Sequence, residues 1–317
     1  MSSASQRVAV IDIGTNSTRL LIADVENGHV TEVERRSRVT RLGRGVDLSR
    51  QLSAEAVEAV CDAIGDYVAL HQEAEAEAVV AIATSAVRDA ANGGAFIAEL
   101  RERFALPARV LDGEEEARLT YLGATSERPP AETTAVVDIG GGSTEVVFGR
   151  GDRISFHASL QAGVVRHTER HISKDPPMTD EMEALAADVR ALIQNALAEA
   201  PTGARSGIAV AGTPTSLAAL DLGLDPYDPR RVHGHRLSLE AIQRLLSQLS
   251  ARPLARRAEM VGLHPDRAPT IIAGVVILIE TMRALALEQV EVSEHDILYG
   301  TALDAAVRGD RAPDPQA

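Results

Sequence analysis

The chain has 317 residues, which is enough for two ordinary domains with buried cores. Hydrophobic residues make up 45% and charged residues 25%, a balance that excludes a disordered or fibrous protein. The net charge of −14 argues against nonspecific nucleic-acid binding, because a polyanion would be repelled. The best apolar run, 271–279, is too short to cross a bilayer, and no apolar leader precedes Arg7. A cytoplasmic protein without a membrane partner is therefore predicted.

Two β-rich runs surround a small polar turn in residues 7–24, which predicts a β-hairpin. Five arginines follow it within ten residues: Arg35, Arg36, Arg38, Arg41 and Arg44. Such a cluster suits an anionic substrate, and it equally suits an exposed edge strand that charge keeps soluble. The sequence leaves both interpretations open.

Helices and strands then alternate along the first half. Apolar spacing predicts a helix from Ser53 to about Ala74, and its single cysteine, Cys61, lies on the apolar side as a buried thiol. A strand at 78–83, a helix at 94–104 and a short strand at 108–111 are expected next. Asp112 then precedes a helix whose first turn holds three glutamates, 114 to 116.

Residues 134–149 repeat the first hairpin without a gap, 126 positions later. Seven pairs are identical: Ala9/Ala135, Val10/Val136, Asp12/Asp138, Ile13/Ile139, Gly14/Gly140, Ser17/Ser143 and Thr18/Thr144. An offset of this size is that of a domain, so the chain consists of two related halves. A long helix from Thr179 to about Ala200 and a strand at 207–211 are predicted in the second half. Mixed strands and helices in each half indicate the α/β class.

The domain boundaries follow from this pattern. We predict an N-terminal domain at 1–125, a linker with two prolines at 126–132, a C-terminal domain at 133–308 and a flexible tail at 309–317.

Each repeated turn places an aspartate at a strand end directly before Gly, Ser or Thr residues. Backbone N–H groups in such turns can bind an anion, and glycine at 140, 141 and 142 removes the Cβ atoms that would block close approach. One copy could be a simple tight turn, but two copies with the same aspartate favour a phosphate cradle with Mg²⁺. A third segment, Ala211-Gly-Thr-Pro-Thr-Ser, is weak evidence alone because Pro214 and Thr213 suit a helix start.

Together these segments resemble the phosphate motifs of the acetate kinase, actin and heat-shock chaperone ATPase superfamily. The match is narrower to the exopolyphosphatase / guanosine pentaphosphate phosphatase family. It is carried by Gly14-Thr-Asn-Ser-x-Arg19, Ala83-Thr-Ser-Ala-Val-Arg88, Gly113-Glu-Glu-Glu-Ala-Arg118 and Asp138-Ile-Gly-Gly-Gly-Ser-Thr-Glu145. The resemblance implies two actin-like (ribonuclease H-like) domains with a duplicated β-hairpin phosphate motif and an interdomain cleft.

The resemblance also implies the site residues. Glu116 corresponds to the family's catalytic glutamate and is the expected general base, while Glu114 and Glu115 fit an anionic first helical turn. Arg88 corresponds to a phosphate-binding arginine. The remaining phosphate-binding residues implied are Asn16, Ser17, Gly140, Gly141, Gly142, Ser143 and Thr144. Asp12, Asp138 and Glu145 are the expected ligands of Mg²⁺ or Mn²⁺.

The expected function is therefore hydrolysis of the terminal phosphoanhydride bond of inorganic polyphosphate, with guanosine pentaphosphate as a further substrate and a homodimer as the expected assembly. Many relatives carry extra C-terminal helical domains that this chain does not show, so short chains are the expected substrates. Pro269 stands where the family often has aspartate, which puts the role of that late segment in doubt. A non-catalytic nucleotide sensor and an actin-like ATPase remain alternatives.

Overall fold

The computed structural model describes residues 5–128, 132–201 and 206–308. Residues 129–131 of the predicted linker and the predicted tail, 309–317, lie outside this range. By its internal contacts the chain divides into two compact units, the described parts of Met1–Arg128 with Ile297–Ala317 and those of Pro129–Asp296. The last helix therefore belongs to the first unit, whereas the sequence analysis assigned 133–308 to the second domain.

The elements of the first half are β1 (Gln6–Ile13), β2 (Ser17–Glu26), β3 (His29–Val39), α1 (Val46–Ser49), α2 (Ala54–Glu73), β4 (Ala78–Ala83), α3 (Ser85–Asp89), α4 (Gly93–Phe104), β5 (Arg109–Val110) and α5 (Gly113–Thr125). Those that follow are β6 (Thr134–Ile139), β7 (Thr144–Arg150), β8 (Arg153–Leu160), α6 (Val164–His171), α7 (Thr179–Ala196), β9 (Ser206–Val210), α8 (Gly212–Leu222), α9 (Pro229–Val232), β10 (Arg236–Ser238), α10 (Leu239–Ser250), α11 (Leu254–Arg257), α12 (Ile271–Ala284), β11 (Gln289–Val292) and α13 (Ile297–Arg308).

The two sheets share one topology. The first has the order β3-β2-β1-β4-β5, and the second contains β8-β7-β6-β9-β11 with β10 added at its far edge. In each, the hairpin is antiparallel, and a later strand pairs parallel with its first strand. The added strand β10 pairs antiparallel with β11. The α/β class and the duplicated hairpin are confirmed, and the duplication extends to the whole sheet.

Alternate residues of β1 face opposite sides of the first sheet. Ala9, Ile11 and Ile13 pack with residues of α2 and α4, while Val8 and Val10 pack with α13. A strand covered on both faces reads as a continuous apolar run, which is what residues 8–11 show. The last helix thus completes the core of the first unit.

Strand β3 lies at the edge of the first sheet and carries three of the five clustered arginines. Arg35 pairs with Glu32 at 3.3 Å, Arg36 with Glu34 at 2.8 Å and Arg38 with Asp66 at 2.5 Å. For these three arginines the structure supports the interpretation as a charged edge strand.

Candidate active site

The two repeated turns have the same internal hydrogen bond. Gly14 N donates to Ser17 O at 3.1 Å, and Gly140 N donates to Ser143 O at 3.0 Å. A Cβ atom on Gly14 would lie 2.8 Å from Ser17 O, so only glycine allows this closure without displacement of the turn. Both predicted phosphate turns are therefore built alike.

The first turn is held by the loop after β3. Thr15 O accepts from Gly43 N at 2.7 Å, and Asn16 O accepts from the N–H groups of Thr40 and Arg41 at 3.1 and 3.0 Å. Asn16 Nδ2 and Ser17 Oγ are buried and have no hydrogen-bond partner among the described residues. Buried polar atoms are normally paired, so these two groups fit an anion that completes the turn.

The second turn offers backbone donors. Among the described residues, the N–H groups of Gly141, Gly142 and Ser143 donate no hydrogen bond. Successive backbone N–H groups of this kind form an anion-binding concavity. Thr144 differs, because it is fully buried and its hydroxyl donates to Ala162 O at 2.5 Å. The structure therefore favours the predicted phosphate role for residues 140–143 and not for Thr144.

Glu116 is buried at the start of α5, with 7% of its surface exposed. The helix begins there because the Asp112 side chain caps it, accepting from Glu115 N at 2.8 Å. Glu114 is exposed and Glu115 pairs with Arg109, as expected for an anionic first turn. Of the three glutamates, only Glu116 turns inward.

Arg88 is the partner of this carboxyl group. Its Nη1 donates to Glu116 Oε2 and to Leu111 O, both at 2.8 Å. Helix α3, which carries Arg88, is joined to the first turn because Ala86 N donates to Thr15 Oγ1 at 3.1 Å. The structure thus brings Glu116, Arg88 and the first turn together within one unit.

Burial raises the pKa of Glu116 to about 7, although the neighbouring Arg88 opposes that change. The negative charges of Asp12 and Asp89 raise this pKa further. A carboxyl group that titrates near neutral pH suits a general base, and perturbed pKa values mark functional sites.

The predicted metal ligands differ between the two hairpins. Asp12 faces Arg19 across β1 and β2, and its Oδ2 accepts from Arg19 Nη2 at 2.6 Å and Nε at 2.9 Å. At the equivalent position of the second hairpin, Asp138 faces Glu145. Arg19 thus compensates the Asp12 carboxylate through Oδ2, and the metal role of Asp12 stays a prediction.

Asp138 and Glu145 are two acidic residues directly across an antiparallel pair, and like charges in that position repel each other. Glu145 is almost fully buried, and its Oε1 accepts from Ser159 Oγ at 2.9 Å. Oxygen donors at such a position are the ligand type that Mg²⁺ or Mn²⁺ takes. The residues present therefore fit the expected metal.

The third segment forms the start of α8, preceded by Ala211 with a φ of 74°. A non-glycine residue at positive φ is strained, and such strain is concentrated at functional sites. Arg267 lies over this helix start, since a Cβ on Gly212 would meet its Nη1 at 2.1 Å. The sequence analysis did not assign Arg267 to the site.

Two groups of histidines lie outside the site described so far. His235 Nε2 bonds Asp221 Oδ2 at 3.0 Å, and His233 Nδ1 accepts from Glu294 N at 3.2 Å. The sequence analysis did not find a group that could hold a metal ion, which consists of His167 and His171 on α6 with Asp188 on α7. The His-x-x-x-His spacing is visible in the sequence, but the acidic residue beside these histidines comes from another helix.

None of the helices in the described parts of the chain is both long enough and apolar enough to span a membrane.

The fold and these groups define a phosphate-binding protein with a buried carboxylate in one unit and a glycine-rich amide turn in the other. The model of the Ppx/GppA phosphatase family matches residues 21–305. The chain belongs to the Ppx/GppA phosphatase family, as the sequence analysis predicted.

Among curated relatives, Exopolyphosphatase 2 of Mycobacterium tuberculosis is 39% identical over 322 residues, covering 96% of this chain and 99% of that protein. Among solved structures, an Aquifex aeolicus member of the Ppx/GppA family has a TM-score of 0.82 and 30% identity, covering 98% of this chain and 100% of that one. An exopolyphosphatase-like protein has a TM-score of 0.91 and 36% identity, covering 96% of this chain and 99% of that one.

Proposed function

We propose that the protein is an exopolyphosphatase that hydrolyses the terminal phosphoanhydride bond of inorganic polyphosphate. The observation that carries this proposal is the buried Glu116 carboxyl group, held by Arg88 and with a pKa near neutrality. The curated relative named Exopolyphosphatase 2 aligns over nearly the full length of both chains, which supports the same assignment. Guanosine pentaphosphate, which also ends in a phosphoanhydride, is a second proposed substrate.

Phosphoryl transfer to water needs positioning and charge neutralisation more than covalent chemistry. In the proposed reaction, Glu116 accepts a proton from water while the water oxygen bonds to the terminal phosphorus. The bridging P–O bond breaks, and inorganic phosphate and a chain shortened by one unit leave. Arg88 pairs with a phosphate oxygen and lowers the pKa of Glu116 enough for the base to be ionised near pH 7.

The amide turn of residues 140–143, with Asn16 and Ser17, binds phosphoryl oxygens in this proposal. Asp138 and Glu145 hold a divalent cation, for which we propose Mg²⁺ or Mn²⁺. When bound, such an ion neutralises phosphate charge and orients the substrate. Asp12 acts instead through its ion pair with Arg19.

A nucleotide sensor or an actin-like ATPase would use similar turns. A pure binder has no use for a buried carboxylate beside phosphate groups, because burying that charge costs free energy. The geometry at Glu116 therefore favours the hydrolase.

The test is release of phosphate from short polyphosphate, guanosine pentaphosphate and ATP with Mg²⁺ or Mn²⁺. We expect Glu116→Gln to lower kcat by about 10²–10⁴-fold, because one general base is lost. Glu114→Gln is the matched control, since Glu114 lies exposed on the same helical turn. A wild-type protein that releases no phosphate, or a Glu116→Gln variant as active as the control, would rule out the proposal.

Chain-length preference, assembly and location belong to the same proposal. We propose that short polyphosphate is preferred, and equal turnover of very short and very long chains would contradict this. A homodimer is proposed, to be checked by light scattering, and a cytoplasmic location by fractionation of cells.

A further inference from the structure

The carbonyl groups of the second phosphate turn all face helix α6. Val164 N donates to Gly140 O at 3.0 Å, and Val165 N donates to Gly141 O at 2.9 Å. The Gly142 carbonyl has a side-chain donor, because Arg166 Nε bonds it at 2.8 Å. Three consecutive carbonyl dipoles of the turn are thus bound by three consecutive residues of one helix.

This arrangement fixes where the N–H groups point. In a planar trans peptide the C=O and the following N–H point in opposite directions. The cis bonds of the described chain lie elsewhere, at Asp175-Pro176 and Asp225-Pro226. The N–H groups of Gly141, Gly142 and Ser143 therefore point away from α6, and they are the unpaired donors described above.

The orientation of the third peptide of this turn, between Gly142 and Ser143, depends on a side chain. The first two carbonyls are bound by backbone donors, which no substitution except proline removes. The Gly142 carbonyl is bound by Arg166, which is 7% exposed, so its guanidinium lies within the protein. A glycine peptide rotates easily when nothing holds it, and rotation would turn the Gly142 carbonyl toward the anion.

The neighbouring His167 has a related contact. Gly163 N donates to His167 Nδ1 at 3.3 Å, and burial lowers the pKa of His167 to about 4, so the ring is neutral. A neutral ring whose Nδ1 accepts must carry its proton on Nε2, which faces Asp188 Oδ2 at 3.5 Å. A protonated nitrogen has no lone pair for a metal, so binding of a metal by His167, His171 and Asp188 would require the contact between Gly163 and His167 to break.

We propose that Arg166 is a positioning residue that holds the Gly142 carbonyl away from the substrate, and so keeps three amide donors directed at one phosphoryl group. This inference rests on the proposed function. It concerns binding as well as turnover, so it can be tested without hydrolysis. Arg166 acts through the backbone of the turn and makes no contact with phosphate in this proposal.

The test compares Arg166→Met, which keeps length but loses the donors, with Arg166→Lys, whose ammonium can still donate to Gly142 O. Arg170→Met is the matched control. It removes the same charge from the same helix, but the Arg170 side chain is 36% exposed, and its Nη1 lies 3.8 Å from Asp188 Oδ2. Binding of pyrophosphate is measured by calorimetry, alongside kcat, KM and the thermal midpoint.

We expect Arg166→Met to weaken pyrophosphate binding about tenfold or more, with a matching rise in KM, while Arg166→Lys stays within about threefold of wild type. Arg170→Met should bind as wild type does. Unchanged binding in Arg166→Met would overturn the proposal. Equal loss in the Lys and Met variants at an unchanged thermal midpoint would also overturn it, because the guanidinium would then contact phosphate directly.

If Arg166→Met does not fold, Arg166→Lys carries the test against Arg170→Met, and a loss of binding in the folded Lys variant overturns the proposal. Failure of the proposed function has a different signature. A wild-type protein that binds pyrophosphate but releases no phosphate from polyphosphate refutes the hydrolase and leaves the role of Arg166 open to the binding test.

Discussion

Two opposing effects act on the pKa of the Glu116 carboxyl group. Burial favours its neutral form, and Arg88 at 2.8 Å favours its charged form. The outcome is a pKa of about 7, at which the group can both take up and release a proton in the neutral range. Neither effect alone would give a base that is useful near pH 7.

The acid limb of the activity profile should therefore depend on Arg88. Because Arg88 lowers the pKa of Glu116, Arg88→Gln should raise it, and the limb of kcat/KM should move to higher pH. Arg88→Lys retains the charge and should move the limb less. The measurement is kcat/KM against pH for all three proteins, and a limb that stays in place or moves to lower pH would contradict this account.

The duplicated hairpins offer a matched pair for the metal. Asp138→Asn should weaken Mn²⁺ binding by about tenfold or more, because it removes a proposed ligand opposite Glu145. Asp12→Asn should leave that affinity within about twofold, because Arg19 compensates Asp12. Mn²⁺ titration followed by electron paramagnetic resonance distinguishes the two, and equal loss in both variants would contradict this assignment.

The Cys61 thiol should be unreactive toward alkylating reagents in the folded protein. It is buried, and burial raises the pKa of its thiol to about 11, so almost none of it is thiolate at neutral pH. Iodoacetamide at pH 7 should modify it only after denaturation, as mass spectrometry can check. Rapid labelling of the native protein would contradict the buried packing.

At the scale of elements, the hairpins could be predicted because their information is local. Strand, turn and strand lie within about 18 residues, and the repeat of Asp, Gly and Ser is visible in the letters. Arg166 could not be found this way, because its meaning comes from Gly142, 24 residues earlier, which no local pattern connects to it. The same holds for Arg267 beside Gly212.

Gly163 shows how closely α6 approaches the second turn. A Cβ at this position would lie 2.4 Å from Gly141 O and from Gly142 C, so the backbone of the turn would have to move. We expect Gly163→Ala to lower phosphate affinity and kcat together by about tenfold or more, since a displacement of 1 Å can cost 10²-fold. Assays of pyrophosphate binding and phosphate release provide the check.

Gly94→Ala is the control for this substitution, because nothing lies within 4 Å of its added Cβ. Full activity in Gly163→Ala would mean that the turn can shift without loss, and that its geometry matters less than we propose.

At the scale of the whole molecule, the sequence predicted two related α/β halves but not how the chain is shared between them. Helix α13 is apolar enough to pack on either sheet, and its position in the chain suggested the second. Its buried residues Leu298, Tyr299 and Ala302 instead pack with Val8 and Val10 of β1. Packing partners of this kind are set by the three-dimensional surface and not by order along the chain.

The contact of α13 with α5 provides a test of this arrangement. A Cβ on Gly300 would lie 1.8 Å from Leu119 O, so Gly300→Ala must separate two helices, one of which carries Glu116. We expect a loss of about 1–3 kcal/mol in the free energy of unfolding, together with lower kcat. Hydrogen exchange should show the loss in α5 and α13, and a protein as stable as wild type would contradict the packing.

Because α13 packs on the first sheet, it also affects the order in which the two units can fold during synthesis. Synthesis proceeds from the amino terminus, and domains generally fold as they emerge. The first unit, although made first, lacks one face of its core until residues 297–308 leave the exit tunnel. The second unit, 129–296, is synthesised completely before residues 297–308. It should therefore become protease-resistant before the first unit on stalled nascent chains.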